Sequence, residues 1–200
     1  MLTPAAKLAL YVIRVVWALL SPLDPRDVEG LRSYAPSHLT LEQAADHFYA
    51  ARLASAIHHQ DVYMVLAIAE HESNFQQHAI TKEVGNKRSC GVMTPIPTRS
   101  QEECDLHTSS LLAGYLAGAE HVYVWGHAGD VRSTTEALRG VGGGYKLIRA
   151  CREADRSGDR APVLRKDPPH DDLCNIADTF RRMRGNLVNS IKLAHRRADT

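Results

Sequence analysis

The stretch AIAEHESNF, residues 67–75, sets two glutamates two positions apart inside an otherwise apolar run. At about 100° per residue, Val62, Val65, Leu66 and Ala69 define the apolar face of the helix that would carry it. Glu72 falls between the directions of Val65 and Ile68, on the margin of that face. Glu70 points well over a quarter-turn away, and His71 almost directly opposite. An unpaired carboxylate aimed at a core, or at a cleft beside it, is costly when ionised. A carboxyl group that keeps its proton is what a general acid needs at neutral pH. The same position also suits a glutamate paired with an arginine, or one snorkelling from the helix end.

Working outward, Asp61 is a good N-cap for this helix, and a preceding helix should run from about 40 to 58. Thr40 and Gln43 form a capping box at its start, with Leu39 as a hydrophobic staple. Residues 80–108 show no sustained period and are rich in Gly, Pro, Ser and Thr, which predicts a long functional loop or a few short elements. Helical character returns over 109–126, where Gly114 and Gly118 share a face and predict close packing against a neighbouring helix. A second capping box, Ser133 with Glu136, opens a short helix that ends at Gly140. The glycine-rich GVGGGYKL that follows reads as a loop. Residues 152–170 read as a polar excursion. The last helix, about 173–197, puts Ile176, Phe180, Leu187 and Ile191 on one stripe with its arginines outside. No run alternates as a strand would, so the fold is expected to be mainly α.

The N-terminal stretch AAKLALYVIRVVWALLSPL is interrupted by Lys7 and Arg14, which share one face, while Leu8, Val12, Val15, Val16 and Leu19 occupy the other side. No uninterrupted apolar run reaches the roughly 18 residues of a spanning helix. The reading is an amphipathic helix that packs on the domain, a protein partner or a membrane surface, with a signal-anchor as the alternative. Residues 21–38 hold three prolines and read as a connector. The chain thus divides into an N-terminal helix and connector, 1–38, and a main domain, 39–200.

Composition limits the function classes. With 200 residues, 44% hydrophobic and 24% charged, the chain can build an ordinary folded core. A net charge of +1 supplies no field for nucleic acid. The four cysteines form no C-x-x-C pair, which leaves two disulfides in any of three connectivities, or buried thiols. The eleven histidines show no tight ligand spacing, so neither a metal nor a cofactor is expected.

AIAEHESNF followed by GNKRSCGVMTP resembles the lysozyme-like lytic transglycosylases and their goose-type lysozyme relatives. A helix-ending Glu-Ser with a nearby aromatic is matched by Glu72, Ser73 and Phe75. A Gly-Leu-Met-Gln loop some twenty residues on is matched by Gly91, Val92 and Met93. An Ala-Tyr-Asn stretch corresponds to ALRGVGGGYKL. The chain departs from the pattern at Thr94, where the family has glutamine, and at Val141–Gly142, where it has Tyr-Asn. Tyr145 is the nearest following hydroxyl. The resemblance covers roughly residues 45–148. It implies a lysozyme-like helical domain, with Glu72 catalytic and Ser73, Gly91, Met93, Thr94 and Tyr145 facing peptidoglycan glycan strands. It also implies an extracytoplasmic or virion-associated protein. One carboxylate suffices for transglycosylation, whereas inverting hydrolysis would need a second; Glu83, Glu102 and Glu103 lie in or near the loop and could serve, but read first as solvated loop charges. The rival reading is a lysozyme-like component of a phage virion or secretion apparatus that binds without cleaving.

Overall fold

A computed structural model describes residues 3–35, 37, 39–80, 89–93, 100–128, 156–157 and 170–199, of which 5, 7, 121–128, 170–178 and 181 are described as backbone only. Among the described residues seven helices are named, in order: α1 (Pro4–Leu20), α2 (Pro25–Tyr34), α3 (Leu41–His58), α4 (Val62–Ser73), α5 (Gln101–Thr108), α6 (Leu111–Ala128) and α7 (His170–Ala198). Among the described residues there is no strand, only an isolated antiparallel bridge between Ile80 and Cys90. The protein is mainly α.

The core is built round α4. Met64 through Ala69 are six consecutive buried residues, so this helix is enclosed on every side rather than along one stripe. Helices α3 and α7 pack against it, and Phe48, Phe75, Tyr115, Phe180 and Leu187 complete the same cluster. Asp61 starts α4 by accepting from Met64 N at 3.0 Å. It also takes a two-pronged bond from Arg184 of α7, at 3.1 and 2.7 Å. Arg184 is therefore turned inward to a partner, although the arginines of this helix were expected outside. The α3 start is as its sequence predicts, with both halves of the Thr40–Gln43 capping box made and Leu39 buried.

The segment read as a connector contains α2. Asp24 caps Arg26 N at 2.9 Å and Pro25 occupies the first turn, where its missing N–H costs nothing. Val28, Leu31 and Ala35 are buried in the common core. Full burial of a residue such as Leu31 is worth roughly 1.5–3 kcal/mol. Gly30 lets the backbones of α2 and α7 meet, since a Cβ there would lie 2.5 Å from Ile191 Cα. Ser190 Oγ donates to the Gly30 carbonyl at 2.8 Å, and His195 bonds Asp27 at 2.7 Å. One of the three prolines that suggest a connector, Pro25, instead marks a helix start.

Gly114 meets a neighbouring helix as expected, whereas Gly118 differs from expectation. Their neighbours are the Val92–Met93 loop and the His107 carbonyl at the end of α5: a Cβ on Gly114 would meet His107 O at 3.0 Å, and one on Gly118 would meet Met93 at 2.5 Å. Gly114 thus admits the end of a neighbouring helix as well as the loop, and Gly118 admits the loop. On α1, the side that docks is Ala18, with Tyr11 and Val15 half-buried, while Leu8, Val12, Val16 and Leu19 are exposed. The predicted apolar face is thus largely uncovered. The helix from Ser133 and the glycine run 142–144 lie outside the described residues, as does the excursion 152–170 apart from 156–157 and from residue 170, which opens α7.

Candidate functional site

Helix α4 ends at Ser73, and the chain leaves it through two consecutive left-handed residues, Asn74 at φ 51° and Phe75 at φ 64°. Asn74 N reaches the Glu70 carbonyl at 2.8 Å, and Phe75 N reaches the Ala69 carbonyl at 3.3 Å, which closes the last turn. A bulky residue with positive φ is rare and is held only where its surroundings over-determine it. Here the Phe75 ring is buried and meets the edge of His47 at 5.1 Å between centroids.

His47 is itself 3% exposed. Its Nδ1 pairs with the Tyr115 hydroxyl at 2.9 Å, and the Phe75 backbone provides a second hydrogen bond. Burial holds its pKa down at about 4, against the weaker upward pull of that backbone bond. A neutral ring has one donor and one acceptor. The Phe75 carbonyl can only accept, so the ring proton sits on Nε2 and Tyr115 donates to Nδ1. Burial likewise raises the Tyr115 hydroxyl well above its ordinary pKa, so it stays protonated as that donor.

Ser73 joins this turn to the second motif. Its hydroxyl lies 2.9 Å from the Ala69 carbonyl and 2.6 Å from the Val92 carbonyl, and it accepts from Gln76 N at 3.1 Å. The loop it holds is fixed from two further directions. Gly91 N donates to the Ala79 carbonyl at 2.9 Å, and a disulfide joins Cys90 to Cys104 of α5. Gly91 adopts φ +96°, and a Cβ on it would lie 2.9 Å from the His107 carbonyl.

Glu72 stands on this frame with 17% of its side chain exposed, and His71 Nδ1 lies 3.3 Å from its Oε1. The bond to Glu72 raises the His71 pKa. The His71 ring also packs edge-on against Phe180 of α7, 4.9 Å between centroids. Glu70 receives a hydrogen bond from Tyr34 of α2, whose hydroxyl is raised in pKa by burial first and by Glu70 second. The two glutamates therefore leave the core in different directions with different partners.

The expected site residues fall into three groups. Ser73, Gly91 and Met93 are brought together round the Val92 carbonyl, and Glu72 is the chain neighbour of Ser73. Within that set, Ser73 is 8% exposed with its hydroxyl committed internally, and Met93 is 3% exposed against Gly118. These two residues, and the glycine conformation at Gly91, shape the loop from behind rather than offering surface to a sugar. Thr94 and Tyr145 lie outside the described residues, as does Glu83. Glu102 and Glu103 sit in the first turn of α5, with Glu102 exposed and Glu103 half-buried. A cleft of about 560 Å³ is lined by Asp46, Tyr49, Gln77 and the Ser109–Leu112 turn, and Glu72 is not among its residues.

Tyr34, His47, His71 and Tyr115 are the contributors that sequence reasoning missed. The Asp-Pro helix start at 24–25 would have signalled Tyr34; nothing local marks His47, whose partner is 68 residues away. Among the described residues no group of three His, Cys, Asp or Glu side chains is placed to hold a metal ion. No family model, curated protein or solved structure matches the chain.

Proposed function

We propose that this protein is a peptidoglycan lytic transglycosylase in which Glu72 is the single acid–base group. The observation that supports the reading is the bond from Ser73 to the Val92 carbonyl. It joins the helix-ending Glu-Ser motif to the Gly-Val-Met loop, two motifs that are 19 residues apart at that contact. The left-handed Asn74–Phe75 turn beside Glu72 adds backbone strain of the kind that collects at functional sites.

In the reaction, Glu72 gives its proton to the glycosidic oxygen between N-acetylmuramic acid and N-acetylglucosamine as the C1–O bond breaks. The resulting carboxylate then takes the proton of the muramoyl 6-hydroxyl. That oxygen bonds to the anomeric carbon and closes a 1,6-anhydro ring, so Glu72 ends protonated, as it began. Neither cofactor nor metal takes part, and no nucleic acid is involved. The Cys90–Cys104 disulfide supports action in an oxidising, extracytoplasmic setting or in a virion that reaches one.

A second reading, a binding component of a wall-crossing assembly, is favoured by one feature: Ser73 and Met93 face inward and present no sugar contacts. Digestion of purified peptidoglycan separates the readings. Anhydro-muramoyl products that disappear in Glu72→Gln support the transglycosylase. Reducing-end products that disappear in the same variant indicate a goose-type hydrolase with a second carboxylate. Wall binding without any release indicates the binding component.

A further inference from the structure

Helix α1 leaves most of its surface uncovered. Leu8 is 64% exposed, Ile13 62%, Trp17 63% and Leu20 78%, and Leu10, Val12, Val16 and Leu19 are each at least 44% exposed. At 100° per residue these eight side chains and Ala9 cover an arc of about 200°. That arc contains no charged residue, and the helix holds no acidic residue at all. Its two cations, Lys7 and Arg14, fall by register on the flank next to the docked side. Arg14 pairs at 2.9 Å with the Nδ1 of His59, a ring whose pKa burial lowers, and meets no carboxylate among the described residues. At the C-terminal end, the Arg52 guanidinium lies 5.9 Å from the Trp17 ring and 5.7 Å from that of Tyr49.

Three properties of this face select its occupant. An arc this wide exceeds the roughly 100° stripe that one packed helix or protein surface covers, whereas acyl chains surround whatever is sunk into them. The positive charge of Arg14 at its edge, which meets no carboxylate among the described residues, complements anionic headgroups. Finally, with 17 residues α1 is about 25 Å long, short of a hydrocarbon core of about 30 Å. No single helix among the described residues is long and apolar enough to cross a membrane; residues Leu8–Leu20 pass that test only together with α2, bent by 79°. Since α2 is buried against α7, it is not free to join such a span.

We propose that α1 is an interfacial helix that seats the folded domain on a lipid surface bearing anionic headgroups. Leu8, Leu10, Ile13, Trp17 and Leu20 enter the acyl layer, and Arg14 lies at headgroup level. The inference stands independently of the activity proposed for Glu72.

The test is co-sedimentation of the full chain with phosphatidylcholine vesicles, with or without phosphatidylglycerol. Light scattering of the protein alone accompanies it. The proposal predicts binding to the anionic vesicles that weakens as salt rises, and weaker binding to the neutral ones. The double variant Ile13→Glu/Trp17→Glu should lose at least about tenfold in affinity, because two large apolar side chains no longer enter the acyl layer. Both positions are exposed, so circular dichroism should match the wild type. Leu106→Glu, on α5 and 62% exposed, should bind as the wild type does. Failure of the wild type to bind at low salt would overturn the proposal, as would equal binding by the double variant. A discrete dimer that the double variant abolishes would assign the face to a second copy and overturn it equally.

Discussion

His47 shows how much of the site depends on one side chain remote from the chemistry. Its neutral ring bridges Tyr115 and the Phe75 backbone, and so fixes the turn that follows Glu72. The folded pKa, about 4, lies below the ordinary 6.5, so in acid the unfolded chain takes up a proton that the folded chain refuses. The stabilising contribution is therefore complete above pH 6.5 and lost as pH falls toward 4, on the order of 3 kcal/mol across that window. Urea titrations between pH 7 and 4 should show this loss, and His47→Gln, which cannot be charged, should show much less pH dependence. If both proteins lose stability in parallel, His47 is not the cause. Gly91 is the second single-residue determinant, through its positive φ and the His107 carbonyl 2.9 Å from where a Cβ would be. Gly91→Ala should lower stability by roughly 2 kcal/mol or more. An unchanged melting temperature would contradict that account. The resemblance singled out Gly91 for its closeness to a sugar, but the atoms that crowd it belong to the protein itself.

Between elements, the frame behind Glu72 is held by two devices. The first is the Cys90–Cys104 disulfide, both of whose cysteines are buried. Closing a loop of this length removes unfolded-chain entropy worth about 3 kcal/mol. Cys90→Ala/Cys104→Ala should lose stability of that order in urea unfolding and should lose wall cleavage with it; full stability without the bridge would contradict the chain-entropy argument. Four cysteines without a paired motif left the connectivity open, because sequence spacing does not reveal which chain segments meet. The second device is the α2–α7 contact at Gly30. There a Cβ would collide with the backbone of Ile191 and could not be relieved by a rotamer change. Gly30→Ala should force the helices apart and cost about 2–4 kcal/mol, read as a lower melting temperature and exposure of Tyr34. The helices themselves were legible where their ends carry strong local signals, as at Thr40–Gln43 and Asp61. Helix α2 was hidden because prolines were read as breakers when one of them stood in the first turn. On α1 the pattern named an apolar side, but not which side the rest of the fold would cover.

At the scale of the whole molecule, the mainly helical fold followed from the absence of strand periodicity together with a few clear caps. The direction of Glu72 did not follow so cleanly. Six buried residues in succession make α4 apolar all round, so angular position on that helix distinguishes less than the place where it emerges. Both glutamates lie on that last turn, and their partners differentiate them: Tyr34 for Glu70, and His71 for Glu72. The motif order around Glu72 could be read from the sequence, and His71 is its neighbour in the chain, whereas the partner of Glu70 comes from a helix 36 residues away. The central claim is that Glu72, not Glu70, moves the proton. The most direct measurement compares muropeptide release from purified peptidoglycan by the wild type, Glu72→Gln and Glu70→Gln, with products identified by mass spectrometry. The account predicts anhydro-muramoyl products from the wild type and from Glu70→Gln, with release by Glu72→Gln reduced at least about a hundredfold. Release that survives in Glu72→Gln and disappears in a folded Glu70→Gln would contradict it.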